Sequence, residues 1–406
     1  MIDLSKGECE EIVRKATNHK NVKIINFHIE SFGSYVGFLG EYFRLKIDTN
    51  VDESHQEINF FVKSLPLKNV KLRKLLIDTR IFKKEVFLYE NLLSTLSQFS
   101  DVSWCPNAFL FRDDLLVLND MTLEGYKMLP FDFKFTQAHV ESTLKCLASF
   151  HCCSIVYEHT EGKSITKQFE SMLFETSVAD ISWYHAGLKT IYDIALLETS
   201  YGNTHRDMIL NDFYEKIFGS ISNMESAPYD ILKVASHRDI WKNNLMFNFD
   251  DNDLQKPKHC VLVDFQTTRY LPISIDVLMA IICTTRRRHH DEYFKYYIEF
   301  YFRQLEANLE KFDINLSDKM SFESFRKTCH HHKFFALVYN TVILMITMIP
   351  REYFIDLNDD ENRDFFEGNR SKFVLNFMKK DEYYKENLIE AVESVVEFIL
   401  SHPDEM

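Results

Sequence analysis

A chain of 406 residues with 46% hydrophobic content has enough apolar side chains for two or three lobes, and its formal net charge of −14 argues against a nucleic-acid-binding surface. Ten Gly, eight Pro and the lack of any repeat or low-complexity tract exclude solenoid and fibrous classes and predict lobes joined by a short hinge. Eight Cys without a C-x-x-C pair and an N-terminus without an apolar signal core predict reduced thiols in a cytoplasmic protein, and a monomer with no membrane or nucleic-acid partner is the expectation.

Residues 23–30, 42–48 and 57–65 are rich in β-branched and aromatic side chains and predict three strands. The turn between the first two carries Gly33, Ser34, Gly37 and Gly40, where backbone amides can approach phosphate oxygens that side chains would block. A glycine-bearing hairpin without a ligand is the alternative. Lys63 lies toward the end of the third strand as a cation suited to phosphates. Asp78 or Thr79 is placed to cap a helix with Phe82, Val86, Tyr89, Leu93 and Leu96 on one face. Glu85 sits at the margin of that stripe, so an ion pair with Lys63 would hold the amine on the α and β phosphates, with Glu90 as a competitor.

Residues 115–118 predict a buried strand that stops at Asn119-Asp120. Beyond it the pattern turns helical. Thr136 is placed to cap a helix carrying Val140, Leu144, Leu147, Ala148 and His151, and helical periodicity returns over 291–312, 321–348 and 382–401. The apolar run 334–349 contains Asn340 and hydroxyl side chains and ends at Pro350, which predicts a buried helix and not a bilayer span. Arg286-Arg287-Arg288 reads as a solvated helix face.

The chemistry concentrates in His237-Arg238-Asp239, in Asn244 five positions later, and in Asp264-Phe265 at the end of the short apolar strand 259–263. Phosphoryl transfer to an alcohol needs one carboxylate to take the hydroxyl proton and separate oxygen ligands to hold magnesium against the phosphates. Asp239 fits the first role, and Asn244 with Asp264 the second. The eleven residues between Asp264 and Asp276 leave no room for a peptide-binding platform, so a small acceptor is expected. Asp276 is either a brace for the backbone of the catalytic loop or a helix N-cap. Trp241 either packs on the acceptor or anchors the loop.

Taken together, Phe61-Val62-Lys63-Ser64-Leu65-Pro66, Glu85-Val86-Phe87-Leu88-Tyr89, Leu116-Val117-Leu118-Asn119-Asp120-Met121, Leu147-Ala148-Ser149-Phe150-His151, residues 237–247 and Val263-Asp264-Phe265-Gln266 resemble the ecdysteroid kinase-like family. That family is a branch of the choline kinase and aminoglycoside phosphotransferase group within the protein-kinase-like fold. The resemblance implies an α+β, two-lobed molecule: a small mixed β-sheet lobe over 1–118, a hinge over 119–125 and a large, mainly helical lobe over 126–406. It implies ATP and Mg2+ as cofactors, adenine against the backbone of Asn119, Asp120 and Met121, and a small-molecule hydroxyl as acceptor, of the ecdysteroid or xenobiotic alcohol kind. The family usually has Gly at Arg238, Glu at Asn119 and Leu at Met121, and none of these departures removes the expected base or a metal ligand. A catalytically silent ligand-binding relative and a choline- or aminoglycoside-type kinase are the alternatives.

Overall fold

The computed structural model describes residues 2–32, 39–227, 229–250, 253–355 and 357–402. The chain divides into two compact units. The first comprises Met1–Leu129, Cys153–Thr176 and Asn244–Thr268, and the second Pro130–Cys152, Ser177–Asn243 and Arg269–Met406. The fold class is α+β.

The first unit is built on an antiparallel sheet of β1 (Val22–Ser31), β2 (Glu41–Val51), β3 (Ser54–Ser64), β4 (Ala108–Arg112) and β5 (Leu115–Asn119), in the order β1-β2-β3-β5-β4. Four of the five strands expected from sequence are present in this sheet, and the fifth, over 259–263, is realised in a separate hairpin. β4 was not expected; it pairs with β5 across a turn of Asp113-Asp114 that closes the Arg112↔Leu115 register. Also unanticipated is α1 (Lys6–Thr17), although Ser5-Lys6-Gly7-Glu8 spells its capping box. The Glu8 N–H donates to Ser5 Oγ and the Ser5 N–H to Glu8 Oε2, which satisfies orphan donors at the helix start. Buried Cys9, Ile12 and Val13 of α1 then join Leu45, Ile47, Phe60, Val62 and Val117 in the core of this sheet.

The expected helix after the third strand begins later than its caps suggested. Asp78 closes a preceding helix, α2 (Val70–Asp78), and the Thr79 hydroxyl donates to Leu75 O at 2.7 Å, satisfying that helix's C-terminus. The next helix, α3 (Ile81–Phe87), starts from Arg80 in a left-handed conformation at φ 57° with no side-chain cap, and continues through a π-helical turn, Leu88–Leu93. The predicted stripe of Phe82, Val86, Tyr89, Leu93 and Leu96 is buried.

Four short strands make two further antiparallel pairs: β6 (Lys233–Ser236) with β9 (Arg269–Pro272) in the second unit, and β7 (Leu245–Phe249) with β8 (Pro257–Leu262) in the first. The β7–β8 hairpin is tied to its unit by a bridge between Lys127 and Phe247 and by Leu262 N–H donating to Trp104 O at 2.8 Å.

The rest of the second unit is helical. Gln137–Glu161 begins one residue after Thr136, with its residues up to Cys152 in this unit and those from Cys153 in the first, and Arg287–Glu310, Phe322–Thr347 and Glu382–Ser401 realise the three long periodic segments. The apolar run is buried inside Phe322–Thr347, and no helix among the described residues is long and apolar enough to cross a membrane. The arginine triplet departs from expectation. Arg286 forms a bidentate pair with Glu390 at 2.8 and 2.7 Å, and Arg287 pairs with Glu397, leaving only Arg288 exposed. Glu390 and Glu397 are seven residues apart, two helical turns, so the Glu382–Ser401 helix presents both to the triplet from one face.

Candidate active site

In the first unit, strand pairing and helix phase bring three of the predicted residues together. Lys63 is nearly the last residue of β3, and its Nζ lies 2.6 Å from Glu85 Oε2 of α3 and 3.1 Å from Asp264 Oδ1. Glu85 and not Glu90 takes the cation, because the helical phase turns Glu90 to solvent. Burial opposes the charge on Lys63, yet the Asp264 and Glu85 carboxylates outweigh it and raise the ammonium's pKa. Burial likewise pushes Glu85 above the ordinary carboxylate range, against the pull of Lys63. Glu85 also takes the Phe265 backbone N–H, so strand, helix and the Asp264-Phe265 segment close a ring of polar contacts. Phe265 is wedged edge-on against Tyr89 and Trp104 at 5.7 and 6.0 Å, fixing the backbone that carries Asp264.

Asp264 itself is held at φ 68°, ψ 71°, a left-handed conformation that a non-glycine residue adopts only when its surroundings enforce it. Asn244, in the same unit, immediately precedes β7. The hairpin register pairs Leu245 with Leu262, and one step beyond it the Val263 N–H donates to Asn244 O at 3.0 Å. Asn244 and Asp264 therefore stand at the same end of one hairpin. A carboxylate and an amide there supply the hard oxygen donors that magnesium prefers.

The 119–121 segment ends β5 and enters a turn. Asp120 is buried and accepts from Arg44 Nε at 2.9 Å, while the Met121 carbonyl accepts the Tyr126 N–H at 3.0 Å. The Asn119 amide donates to Glu124 and to Met121 Sδ. Gly33 and Ser34 lie outside the described residues.

In the second unit, Asp239 follows β6. Its Oδ1 accepts the Tyr339 hydroxyl at 2.8 Å, and its backbone N–H donates to His237 Nδ1 at 3.3 Å. Tyr339 is buried; burial first, and then the Asp239 charge, hold its hydroxyl well above the ordinary pKa, so it stays a donor at neutral pH. Sequence reasoning missed Tyr339, which lies 100 positions from Asp239 in the midst of an apolar helix.

Asp276 resolves as a brace. Its two oxygens accept the backbone N–H groups of His237 at 2.6 Å and Arg238 at 2.7 Å, and Oδ2 lies 3.1 Å from His151 Nε2. All four groups are buried. Arg238 sits at φ 71°, a left-handed backbone in which a side chain is strained. The guanidinium is nevertheless accommodated, 5.2 Å over the Tyr339 ring and 3.3 Å from Ser177 Oγ.

The sequence model of the ecdysteroid kinase-like family matches residues 36–314. Among curated proteins, none matches the chain. Among solved structures, APH(2")-IIa in a ternary complex with streptomycin and ATP is 13% identical with a TM-score of 0.40, covering 89% of this chain and 99% of that one. APH(2")-IIa in complex with gentamicin is 12% identical with a TM-score of 0.40, covering 93% of this chain and 97% of that one.

Proposed function

Because the chain belongs to the ecdysteroid kinase-like family, we propose that it transfers the γ-phosphoryl group of ATP to a hydroxyl of a small organic molecule. The observation that carries this reading is the buried Lys63 cation set between Glu85 and Asp264. Two carboxylates on one ammonium leave a local excess of negative charge at Asp264, which a divalent cation would neutralise.

In this reading Lys63 orients the α and β phosphates, Glu85 fixes Lys63, and the 119–121 backbone, with Gly33 and Ser34, contributes to nucleotide binding. Asp264 and Asn244 would hold Mg2+, which would supply charge neutralisation on the phosphate oxygens. Asp239 accepts the acceptor's hydroxyl proton. The acceptor oxygen forms the new bond to the γ phosphorus, the bond from that phosphorus to the β–γ bridging oxygen breaks, and ADP leaves with the electron pair. The hydrogen bond from the Tyr339 hydroxyl fixes the orientation of the Asp239 carboxylate.

Acceptor-dependent formation of a phosphorylated alcohol from labelled ATP, across a panel of steroid and plant-derived alcohols, is the direct test. Within it, Tyr339→Phe should lower kcat by about tenfold, the worth of one hydrogen bond to a charged group, with ATP affinity unchanged. An unaltered kcat would remove Tyr339 from the mechanism.

A further inference from the structure

The second unit contains a cavity of about 590 Å³, a volume suited to a drug-sized organic molecule. It lies beside Asp239. Trp241 and Lys242 of its lining stand two and three positions after that residue in the chain, and Leu337 and Asn340 lie on either side of Tyr339, the Asp239 partner. Another wall residue, Cys283, has its thiol pKa pushed up by burial and then by the Asp239 charge. Trp241, which sequence left between acceptor contact and loop anchor, is buried against this cavity.

Two properties of the lining combine. Its walls are apolar, with Phe131, Phe135, Ile343 and Leu344 among them, yet its charged residues are five Lys or Arg against two Glu, a formal +3 in a chain of net charge −14. Arg286 and Arg287 are matched by Glu390 and Glu397. Lys242 differs. Among the described residues no carboxylate forms an ion pair with it; its Nζ donates to Phe131 O at 3.1 Å and Phe133 O at 2.9 Å, and rests 5.4 and 5.6 Å from the Phe131 and Phe135 ring centres. An ammonium has three protons, so one remains for a ligand.

We propose that this cavity takes an amphiphilic acid: a hydroxyl-bearing molecule with an aromatic or alicyclic body and a carboxylate that pairs with Lys242. Its standing as phosphoryl acceptor rests on the kinase reading; the anion site itself does not. A cationic aminoglycoside- or choline-like acceptor is disfavoured by the same lining, since its charge would meet the Lys242 ammonium.

Calorimetric titration of the full chain at pH 7 with matched sets of hydroxylated aromatic or alicyclic carboxylic acids, their methyl esters and the corresponding amines decides the matter. The acid should bind at least about tenfold more tightly than its ester, the worth of one charge-assisted hydrogen bond, and the amine more weakly than either. Lys242→Met should bring the acid to the level of its ester. Equal affinity of acid and ester for the wild type, no binding by any acid, or a preference that survives Lys242→Met would overturn the proposal. The wild-type comparison decides even if the variant folds poorly. Selective acid binding with no phosphorylated product from magnesium-ATP would support the anion site and overturn the kinase reading.

Discussion

Asp239→Asn is expected to lower acceptor-dependent turnover by roughly 10²–10⁴-fold, the range for loss of a positioned general base. The substitution is close to isosteric, and the new amide oxygen can still accept the Tyr339 hydroxyl, so the loop's geometry should hold while basicity disappears. Lys63, Glu85, Asn244 and Asp264 all belong to the other compact unit. Nucleotide affinity should therefore stay within about twofold of wild type, by titration with magnesium-ATP. A variant that retains wild-type turnover would show that the acceptor proton leaves by another route.

Asp276→Ala should be the most destabilising single change near the site, costing roughly 3–5 kcal/mol in a urea unfolding titration. Three donors converge on this buried carboxylate, and truncation leaves the His237 and Arg238 N–H groups without their acceptor inside the protein. His151, held between Asp276 and the Tyr301 hydroxyl at 2.6 Å, would lose one of its two partners. Asp276→Asn should fall between wild type and Ala. It keeps one accepting oxygen but turns the other position into a donor that opposes a backbone N–H. A loss below about 1 kcal/mol for Asp276→Ala would mean that water or a shifted backbone satisfies those donors, and that the loop is braced elsewhere.

The difference between these residues also marks what a sequence can disclose. Lys63, Glu85 and Asp264 were legible because each is placed by its own element: near a strand end, on a helical phase, after a short apolar strand. Even there, the choice of Glu85 over Glu90 waited on the orientation of α3 against the sheet. The α1 capping box was equally local and readable from Ser5 to Glu8. By contrast, Tyr339 reaches Asp239 across 100 positions and Arg286 reaches Glu390 across 104, so no window of sequence couples them. The left-handed backbone at Arg238 was hidden for another reason. Arginine gives no local sign of such a conformation, since the left-handed region is the habit of glycine.

The phosphoryl-donor side is tested most directly by calorimetric titration of the full chain with ATP, with and without magnesium, beside Asp264→Ala. The wild type is expected to bind ATP in a magnesium-dependent manner and the variant to lose that dependence while remaining folded. Failure of the wild type to bind at millimolar nucleotide, or identical magnesium-dependent binding by both proteins, would contradict the assignment of Lys63, Glu85 and Asp264 to nucleotide and metal.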